Sequence, residues 1–360
     1  APLRGWIRNG YKLIDLPLPE LYDLRRDPEE RDNLHDRGVA LAGELRRELG
    51  TALGDDRFTE PAQIDDETAQ RLRSLGYLSA PEGARRESYS DVDDPKRRIH
   101  LTNLYEDAAE SFRLGQADLA IARLRELVTR DGGSAEARLA LAYVLYESGR
   151  IAEAIRGLEQ AIEEGIESVA MDRLLGVYLL QSGDVARAVR YLEEAVRRDP
   201  LAVEARNFLA VGYSSLGRHD EARSELAAVL TVEPMSTEAR TNLGTLELTV
   251  GRFDEAIAQF QQALARNPDL PGALNGLGAA YLQTGNIEGS LASWRRAVEI
   301  DPQQYDALFN LAITLAERNP ADAVPYLERF AATAPPTAYA AELAEARRLL
   351  KTTSDDPARR

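Results

Sequence analysis

Small and apolar residues return at a constant spacing along the last two thirds of the chain. A glycine occurs every 34 residues from residue 115 to residue 285, usually with an apolar residue two positions later and a small residue five positions later. Such a period over many copies is typical of an array of structural repeats. Six units in one register begin near residues 101, 135, 169, 203, 237 and 271, and a seventh begins near Tyr305 and loses one residue at Asn319–Pro320.

The pattern within each unit predicts two helices. In the fifth unit, Gly251 is placed to end the first helix in a left-handed cap. Ala256, Phe260 and Ala263 then fall on one face of a second helix, and Pro268 stops that helix. Helices of about a dozen residues are marginal alone, so they are expected to bury their apolar faces by stacking on the next pair.

The first residues of the chain follow a different period. Asn9-Gly10 separates two apolar-rich runs, which is a strong hairpin signal. Closing the chain on this two-residue turn sets Arg8 opposite Tyr11 and Trp6 opposite Leu13. A β-hairpin is therefore predicted ahead of the helical array.

Three further signals follow the hairpin. The run from Glu20 to Leu24 predicts a third antiparallel strand. Asp27, Pro28 and Glu30 predict a helix start, with the aspartate as N-cap and the proline in the first position. The run from Val39 to Leu49 predicts a helix that covers the sheet. Three strands and one helix bury little apolar surface, so this unit is expected to belong to something larger.

Composition narrows the possible chemistry. The chain has 360 residues, a formal net charge of −16, 6% aromatic residues and no cysteine. The excess of acids argues against nucleic acid and anionic membranes as partners. The lack of cysteine excludes disulfides, thiolate metal sites and a cysteine nucleophile. No apolar run reaches the roughly 18 residues of a membrane span. The first residues, APLRGWIRNG, contain neither an initiator methionine nor an apolar signal core, so the chain is interpreted as a piece of something longer.

The repeat resembles the tetratricopeptide repeat (TPR) over residues 101 to about 337. The resemblance implies a mostly α fold, a right-handed TPR α-solenoid of about seven helix pairs, preceded by the small antiparallel sheet and its helix. The array is expected over residues 100–336, followed by a capping helix over 337–352 and a disordered tail over 353–360. The signature is clearest at Leu277, Gly278, Tyr281, Trp294, Ala297 and Pro302.

The TPR resemblance also implies a ligand groove. In this family the first helix of each pair lines the concave side, so positions 2, 5, 6, 9, 12 and 13 of each unit are expected to face a partner. Acids outnumber bases at these positions: Glu106, Glu136, Glu147, Glu204, Glu238, Asp306 and Glu317 stand against Arg113 and Arg173. The expected ligand is a neutral to basic protein or peptide. The groove candidates are Glu136, Arg173, Glu204, Asn207, Glu238, Asn242, Asn275 and Asn310.

Two groups of groove residues have alternative interpretations. The recurring asparagines can pair with both N–H and C=O of a peptide backbone, or they are simply common polar residues facing water. Tyr105, Phe112, Tyr143 and Tyr146 form either an anchor for a ligand or a surface against which residues 65–78 pack. Packing is the favoured interpretation of these aromatic residues.

The N-terminal segment resembles the C-terminal subdomain of the sulfatase family. The matching residues are Tyr11 to Ile14, Glu20 to Leu24, Asp27-Pro28, Glu29-Glu30 and Asn33-Leu34. The resemblance implies a partial subdomain over residues 1–55 and a linker with a short helix over 56–99, in which DDETAQRLRSLGYL at 65–78 is similar to the segment joining sulfatase domains to repeats in some bacterial proteins.

The sulfatase resemblance does not extend to a catalytic site in this chain. Sulfatases use a formylglycine made in a Cys/Ser-x-Pro-x-Arg motif and a divalent cation such as calcium. No serine here stands in that motif; the nearest string, Ser79 to Gly83, lacks the arginine. The chain is therefore expected to hold no catalytic residue, metal site or cofactor of its own, and the chemistry is expected in a domain preceding residue 1.

Three functions remain open from the sequence. The favoured one is a scaffold for protein–protein interaction carried on a sulfatase-like hydrolase. The alternatives are a solenoid that selects the sulfated substrate and an oligomerisation spacer. An acidic groove would repel sulfated polymers, which counts against substrate selection. Sulfatases of this type are often exported, which favours an exported or periplasmic location; the lack of cysteine fits export and the cytoplasm equally.

Overall fold

A computed structural model describes residues 4–16, 18–53 and 95–354. The chain divides into two compact units, Ala1–Gly132 and Gly133–Arg360. The segment 65–78, the string at residues 79–83 and most of the predicted linker and tail lie outside the described residues. The described residues form one three-stranded sheet and sixteen helices.

The sheet at the start of the first unit contains three antiparallel strands in the order β1-β2-β3. They are β1 (Arg4–Arg8), β2 (Tyr11–Asp15) and β3 (Glu20–Asp23). Arg8 pairs with Tyr11 and Trp6 pairs with Leu13, as the sequence predicts. The turn requires left-handed backbone at both central residues, with φ of 47° at Asn9 and 75° at Gly10.

Helix α1 (Val39–Leu53) covers one face of this sheet, which confirms the predicted helix and extends it by four residues. Leu13 and Leu21 lie opposite each other on adjacent strands and pack with Ala42 and Leu45. All four side chains are at most 4% exposed. Alternate strand positions thus supply one half of the core, and one stripe of the helix supplies the other.

The helix start predicted at Asp27 is wrong, because residues 24–26 and 28–29 form turns and no helix begins here. Glu30 has a left-handed backbone with φ of 57°, which an α-helix cannot accommodate. Its carboxylate is held by the ammonium of Lys12 at 2.7 and 2.8 Å. Asp27 does accept a backbone N–H, but from Asp32 at 2.7 Å, so it closes a turn and does not cap a helix.

One helix pair completes the described part of the first unit. Helix α2 (Pro95–Arg113) packs on α3 (Ala117–Arg130). Helix α2 begins within the segment interpreted as a linker, five residues before the expected start of the array. Gly115 separates the two helices with φ of 75°.

The second unit is a helical array in the predicted register. The first helix of each pair begins within one residue of the predicted unit start. Five of these first helices are followed by a glycine with positive φ. Its helices are α4 (Ala135–Glu147), α5 (Ile151–Glu163), α6 (Val169–Gln181), α7 (Val185–Arg198), α8 (Val203–Ser215), α9 (His219–Val232), α10 (Thr237–Thr249), α11 (Phe253–Arg266), α12 (Pro271–Gln283), α13 (Ile287–Ile300), α14 (Tyr305–Arg318), α15 (Pro320–Thr333) and α16 (Ala340–Ser354).

Two features close the array at its C-terminal end. Asn319 alone separates α14 from α15, and its side chain accepts the N–H of Ala321, which explains the lost residue in the register. Helix α16 packs on α14 and α15 through Leu343 and Ala346. It begins three residues later than predicted, because the N–H groups of residues 338 and 339 both turn back to the carbonyl of Pro335.

No helix among the described residues is long and apolar enough to cross a membrane.

Candidate functional site

The first helices of the second unit form a continuous face. Each packs on the first helix of the next pair, from α4 on α6 through α12 on α14. Successive second helices between residues 133 and 354 do not pack on one another to a comparable extent. The array therefore curves towards its first helices. We call the surface formed by positions 2, 5, 6, 9, 12 and 13 of α4, α6, α8, α10, α12 and α14 the inner face.

A cavity of about 330 Å³ opens on the inner face between α8 and α10. We call it the α8–α10 cavity. Six of its lining residues occupy positions 6, 9, 12 or 13 of two successive units, so residues 34 apart in sequence come together. The apolar part is contributed by Ala210, Val211, Leu226 and Leu246, and the polar part by Ser214, Ser215, Asn242, Thr245 and Thr249.

The hydroxyl groups of the cavity are mostly committed to their own helices. Thr245 donates to the carbonyl of Thr241 at 3.0 Å, and Thr249 donates to the carbonyl of Thr245 at 2.8 Å. Ser215 donates to the carbonyl of Val211 at 3.0 Å. Each of these hydroxyls has used its only proton, and it offers lone pairs and, in threonine, a methyl group to the cavity. The hydroxyl of Ser214 makes no such bond within the described residues.

Two glutamates stand one to two helical turns from the α8–α10 cavity. Glu204 and Glu238 occupy position 2 of α8 and α10, and both are exposed. Although Glu238 remains accessible to solvent, partial desolvation by its surroundings, followed by the neighbouring charges of Glu204 and Glu233, raises the pKa of its carboxyl. The two acids are therefore close enough to repel each other, and a cation bound between them would relieve that repulsion.

The structure separates the four predicted asparagines into three environments. Asn242 is half-buried and lines the α8–α10 cavity. Asn207 is only 1% exposed, so it does not present its amide on the inner face; its Oδ1 is buried without a hydrogen-bond partner among the described residues. Asn310 donates to Oδ1 of Asn275 at 3.5 Å, so these two amides contact each other across consecutive units.

The remaining predicted groove residues lie towards the start of the second unit. Glu136 is exposed in the first turn of α4, where its carboxylate accepts the hydroxyl of Ser134 at 3.2 Å. Arg173 is half-buried on α6. The rings of Tyr146 and Tyr178 stack at 4.2 Å between centroids. The predicted packing of residues 65–78 on these aromatic residues lies outside the described residues. Tyr143 remains 48% exposed.

The inner face of the second unit is predominantly acidic. Six acids and one base, Arg173, occupy its defined positions. No group of three or more His, Asp or Glu side chains among the described residues is arranged to hold a metal ion. The carboxylates of this face attract cations, and its cavity offers apolar surface and hydrogen-bond acceptors.

A second depression lies in the first unit between Trp6 and α1, with a volume of about 590 Å³. Its polar side chains already have hydrogen-bond or ion-pair partners. The indole of Trp6 donates to Glu48 at 3.1 Å, and the guanidinium of Arg8 contacts both Glu48 and Glu44. The inner face of the second unit offers more unused polar groups, so it is the stronger candidate.

Comparison with known families identifies the array. The tetratricopeptide repeat family matches residues 111–175, 173–235, 241–305 and 277–336, which together exceed half of the chain. The chain belongs to this family. Proteins of this family bind peptides and other proteins.

The chain is also similar to several solved structures. A tetratricopeptide repeat protein from Parabacteroides merdae shares the fold with a TM-score of 0.60 at 16% identity, over 71% of this chain and 100% of that chain. A thermophilic TPR protein of Thermus thermophilus is 26% identical over 51% of this chain and 99% of that chain, with a TM-score of 0.46. YrrB, described as a TPR protein with an unusual peptide-binding site, is 20% identical over 51% of this chain and 95% of that chain, with a TM-score of 0.40. No curated protein matches the chain.

Proposed function

We propose that the chain is a protein-interaction scaffold whose inner face binds an extended, neutral to basic peptide segment. The α8–α10 cavity carries this proposal, because it joins position 6, 9, 12 and 13 side chains of two successive first helices in one depression. Glu136, Glu204 and Glu238 supply negative charge along the same face. Asn242 supplies an amide that can pair with a peptide backbone. Arg173 and the Asn275–Asn310 pair are proposed as further contacts, whereas the buried amide of Asn207 is assigned to the interior.

Selection from a displayed library of random peptides tests the groove. The full chain is used as bait, in parallel with a variant carrying Glu136→Lys, Glu204→Lys and Glu238→Lys. We expect peptides enriched in Lys and Arg, and loss of their capture by the variant. A matched control carries Glu163→Lys, Glu255→Lys and Glu328→Lys, which change the net charge equally on exposed positions of second helices. Capture that survives the inner-face variant would overturn the groove assignment.

We propose further that the parent protein is a sulfatase-like hydrolase. The support is the ordered sequence match of the N-terminal sheet, from Tyr11 to Leu34. Any metal or catalytic group would then belong to a preceding domain. The coding sequence upstream of Ala1 tests this directly. A Cys/Ser-x-Pro-x-Arg motif there supports the proposal, and an upstream sequence without one contradicts it.

A further inference from the structure

The walls of the α8–α10 cavity offer many hydrogen-bond acceptors and few donors. Thr237, Thr241, Thr245 and Thr249 are spaced by one helical turn along α10, and each of the last three donates to the carbonyl four residues earlier. Their protons point back along the helix, while their methyl groups and oxygen lone pairs remain for a ligand. The hydroxyl of Ser215 on α8 is oriented in the same way. An anionic or acceptor-rich ligand would find few donors here beyond the amide of Asn242 and the hydroxyl of Ser214.

The floor of the cavity is apolar. Leu226 and Leu246 are at most 2% exposed, while Val211 is 38% exposed at the rim. A volume of about 330 Å³ accommodates one aliphatic side chain together with its adjoining backbone. A bound side chain would cover Val211, which is more exposed in the free protein than Leu226 and Leu246.

The acidic pair stands at a defined distance from this cavity. Glu238, Asn242, Thr245 and Thr249 occupy positions 2, 6, 9 and 13 of one unit and so lie on one stripe of α10. Thr245 lies seven positions after Glu238, which corresponds to about 10 Å along an α-helix. An extended peptide in the polyproline II conformation covers about 9 Å in three residues, and its three-residue turn places side chains three positions apart on the same face.

We propose that the α8–α10 cavity binds an aliphatic side chain of a peptide whose basic side chain, about three positions away, lies between Glu204 and Glu238. This inference rests on the proposed peptide-binding function and specifies its ligand. The aliphatic group fills the apolar floor, the peptide N–H groups donate to the hydroxyl oxygens, and the cation pairs with the two carboxylates. The partner is therefore a cationic, aliphatic protein segment.

Binding of short blocked peptides to the full chain tests this specificity. The reference probe is the amide Gly-Lys-Ala-Ala-Leu-Gly with a fluorescent N-terminal blocking group, and a second probe reverses the order of Lys and Leu. We expect the better of the two to lose roughly tenfold in affinity when Glu replaces Lys. We also expect a loss of roughly tenfold when Ala replaces Leu. Fluorescence anisotropy at low salt measures both ratios.

Two variants separate the charged and apolar contributions. Glu204→Gln with Glu238→Gln should remove most of the preference for Lys over Glu and leave the preference for Leu over Ala. Val211→Phe, which fills the mouth of the cavity, should remove most of the preference for Leu over Ala and leave the preference for Lys over Glu. Circular dichroism checks that each variant retains its helices; the glutamine variant changes only exposed positions and keeps the test valid if the phenylalanine variant fails to fold.

Matched controls exist on the second helices. Thr231→Val removes an exposed hydroxyl of α9 that makes the same bond, to the carbonyl of Ala227 at 2.9 Å. Glu255→Gln neutralises an exposed acid at the start of α11. Neither substitution should change either ratio, whereas Thr245→Val, which keeps the shape and removes one acceptor, should weaken the reference probe.

Failure of this inference is distinguishable from failure of the proposed function. Equal affinity for Lys and Glu probes, no effect of Leu, or no binding of any probe would overturn the specificity assigned to the cavity. A photoreactive residue in place of one glycine then locates any bound probe by cross-linking. Cross-links on α8 and α10 support the inference. Cross-links on other first helices overturn it and leave the groove proposal intact, and cross-links confined to second helices overturn both.

Discussion

The third and sixth helix pairs of the array share one register but differ in how they fill it. In the α6–α7 pair, position 4 holds Asp172 and position 30 holds Arg198; in the α12–α13 pair the same positions hold Leu274 and Ile300. Asp172 is 2% exposed and its carboxylate lies 3.1 Å from Nε of Arg198, outside hydrogen-bond geometry. Leu274 is 8% exposed and belongs to the large apolar cluster of the last pairs.

This difference shows that the repeat fixes the backbone and leaves the interior chemistry open. An ion pair and an aliphatic pair occupy equivalent sites 102 residues apart without changing the helix bounds by more than a residue. The ionic version is costly, since burial raises the pKa of the Asp172 carboxyl to about 6 even though Arg198 opposes the shift. Arg198 also contacts Glu167 at 2.8 Å and Glu194 at 2.7 Å, so its charge is shared among three acids.

Introducing a buried carboxylate into the sixth helix pair, at the position that Asp172 occupies in the third, should have the largest effect on stability. Leu274→Asp places a carboxylate in an apolar cluster that has no arginine at position 30, and we expect a loss of roughly 3 to 5 kcal/mol in the free energy of unfolding. Adding Ile300→Arg should recover part of that loss. Urea denaturation of the single and double variants measures the coupling. A single variant as stable as the wild type would show that the sixth pair tolerates a buried charge.

Removing the buried charge of the third pair should have a pH-dependent effect. The raised pKa of Asp172 means that the folded state holds this proton more tightly than the unfolded state. The stabilisation that comes from protonated Asp172 is therefore fully present below about pH 4 and is lost as the pH rises through 6. Asp172→Asn should abolish this decline and stabilise the chain at pH 8 by up to about 3 kcal/mol. Denaturation at pH 4, 6 and 8 provides the check, and an unchanged slope would refute the assignment.

Substitutions of the glycine at position 8, where the two helices of a pair approach closely, should have smaller effects on stability that differ between the third and sixth pairs. A Cβ on Gly278 would lie 2.5 Å from Nε1 of Trp294, a flat ring fixed by its bond to the carbonyl of Asn275. A Cβ on Gly176 would lie 2.5 Å from Cγ of Leu192, a smaller aliphatic side chain that no hydrogen bond fixes. We expect Gly278→Ala to cost about 1 to 3 kcal/mol, and Gly176→Ala to cost less.

The matched control for these glycine substitutions lies in the same helix. A Cβ added at Gly272 of α12 would have no neighbouring side chain within 4 Å. Gly272→Ala should therefore stabilise the chain by up to about 1 kcal/mol, through helix propensity alone. Thermal unfolding of the three variants ranks them, and a ranking that places Gly278→Ala above Gly272→Ala would contradict the packing argument.

Removing a surface ion pair from the third or the sixth helix pair should have the smallest effect on stability. Arg197 contacts Glu194 in the third pair, and Arg296 contacts Asp269 at 2.7 Å in the sixth. Both arginines are more than half exposed. Alanine at either position should leave the melting temperature essentially unchanged, because exposed pairs are screened by water and salt. A clear drop in melting temperature would show that these pairs are coupled to the interior.

Regular periodicity made the helical array predictable. The 34-residue register gave the starts of the first helices in the second unit, because each unit repeats the same glycine cap and the same apolar stripe. The hairpin at Asn9-Gly10 was predictable for a similar local reason, since few other residues adopt two successive left-handed conformations. The helix predicted at Asp27 failed because a contact with Lys12, remote in sequence, holds Glu30 in a conformation incompatible with a helix.

The candidate site was predictable only in part. The sequence placed Asn242, Thr245 and Val211 at inner-face positions but gave no sign that they share one cavity. Asn207 occupies an inner-face position and is nevertheless buried, and Asn275 bonds to Asn310. The threonine spacing of four along α10 was a usable signal, because it predicts hydroxyls that donate to their own helix.

The sequence by itself determined the family, the number and phase of the helix pairs, and the acidic character of the inner face. These properties depend on local periodicity and on charge, both of which are written in the order of residues. Tertiary structure decided which amides are buried, which hydroxyl protons are already used and where the cavity opens. Those outcomes depend on neighbours one repeat away, and a side chain at a given position meets different atoms in each pair.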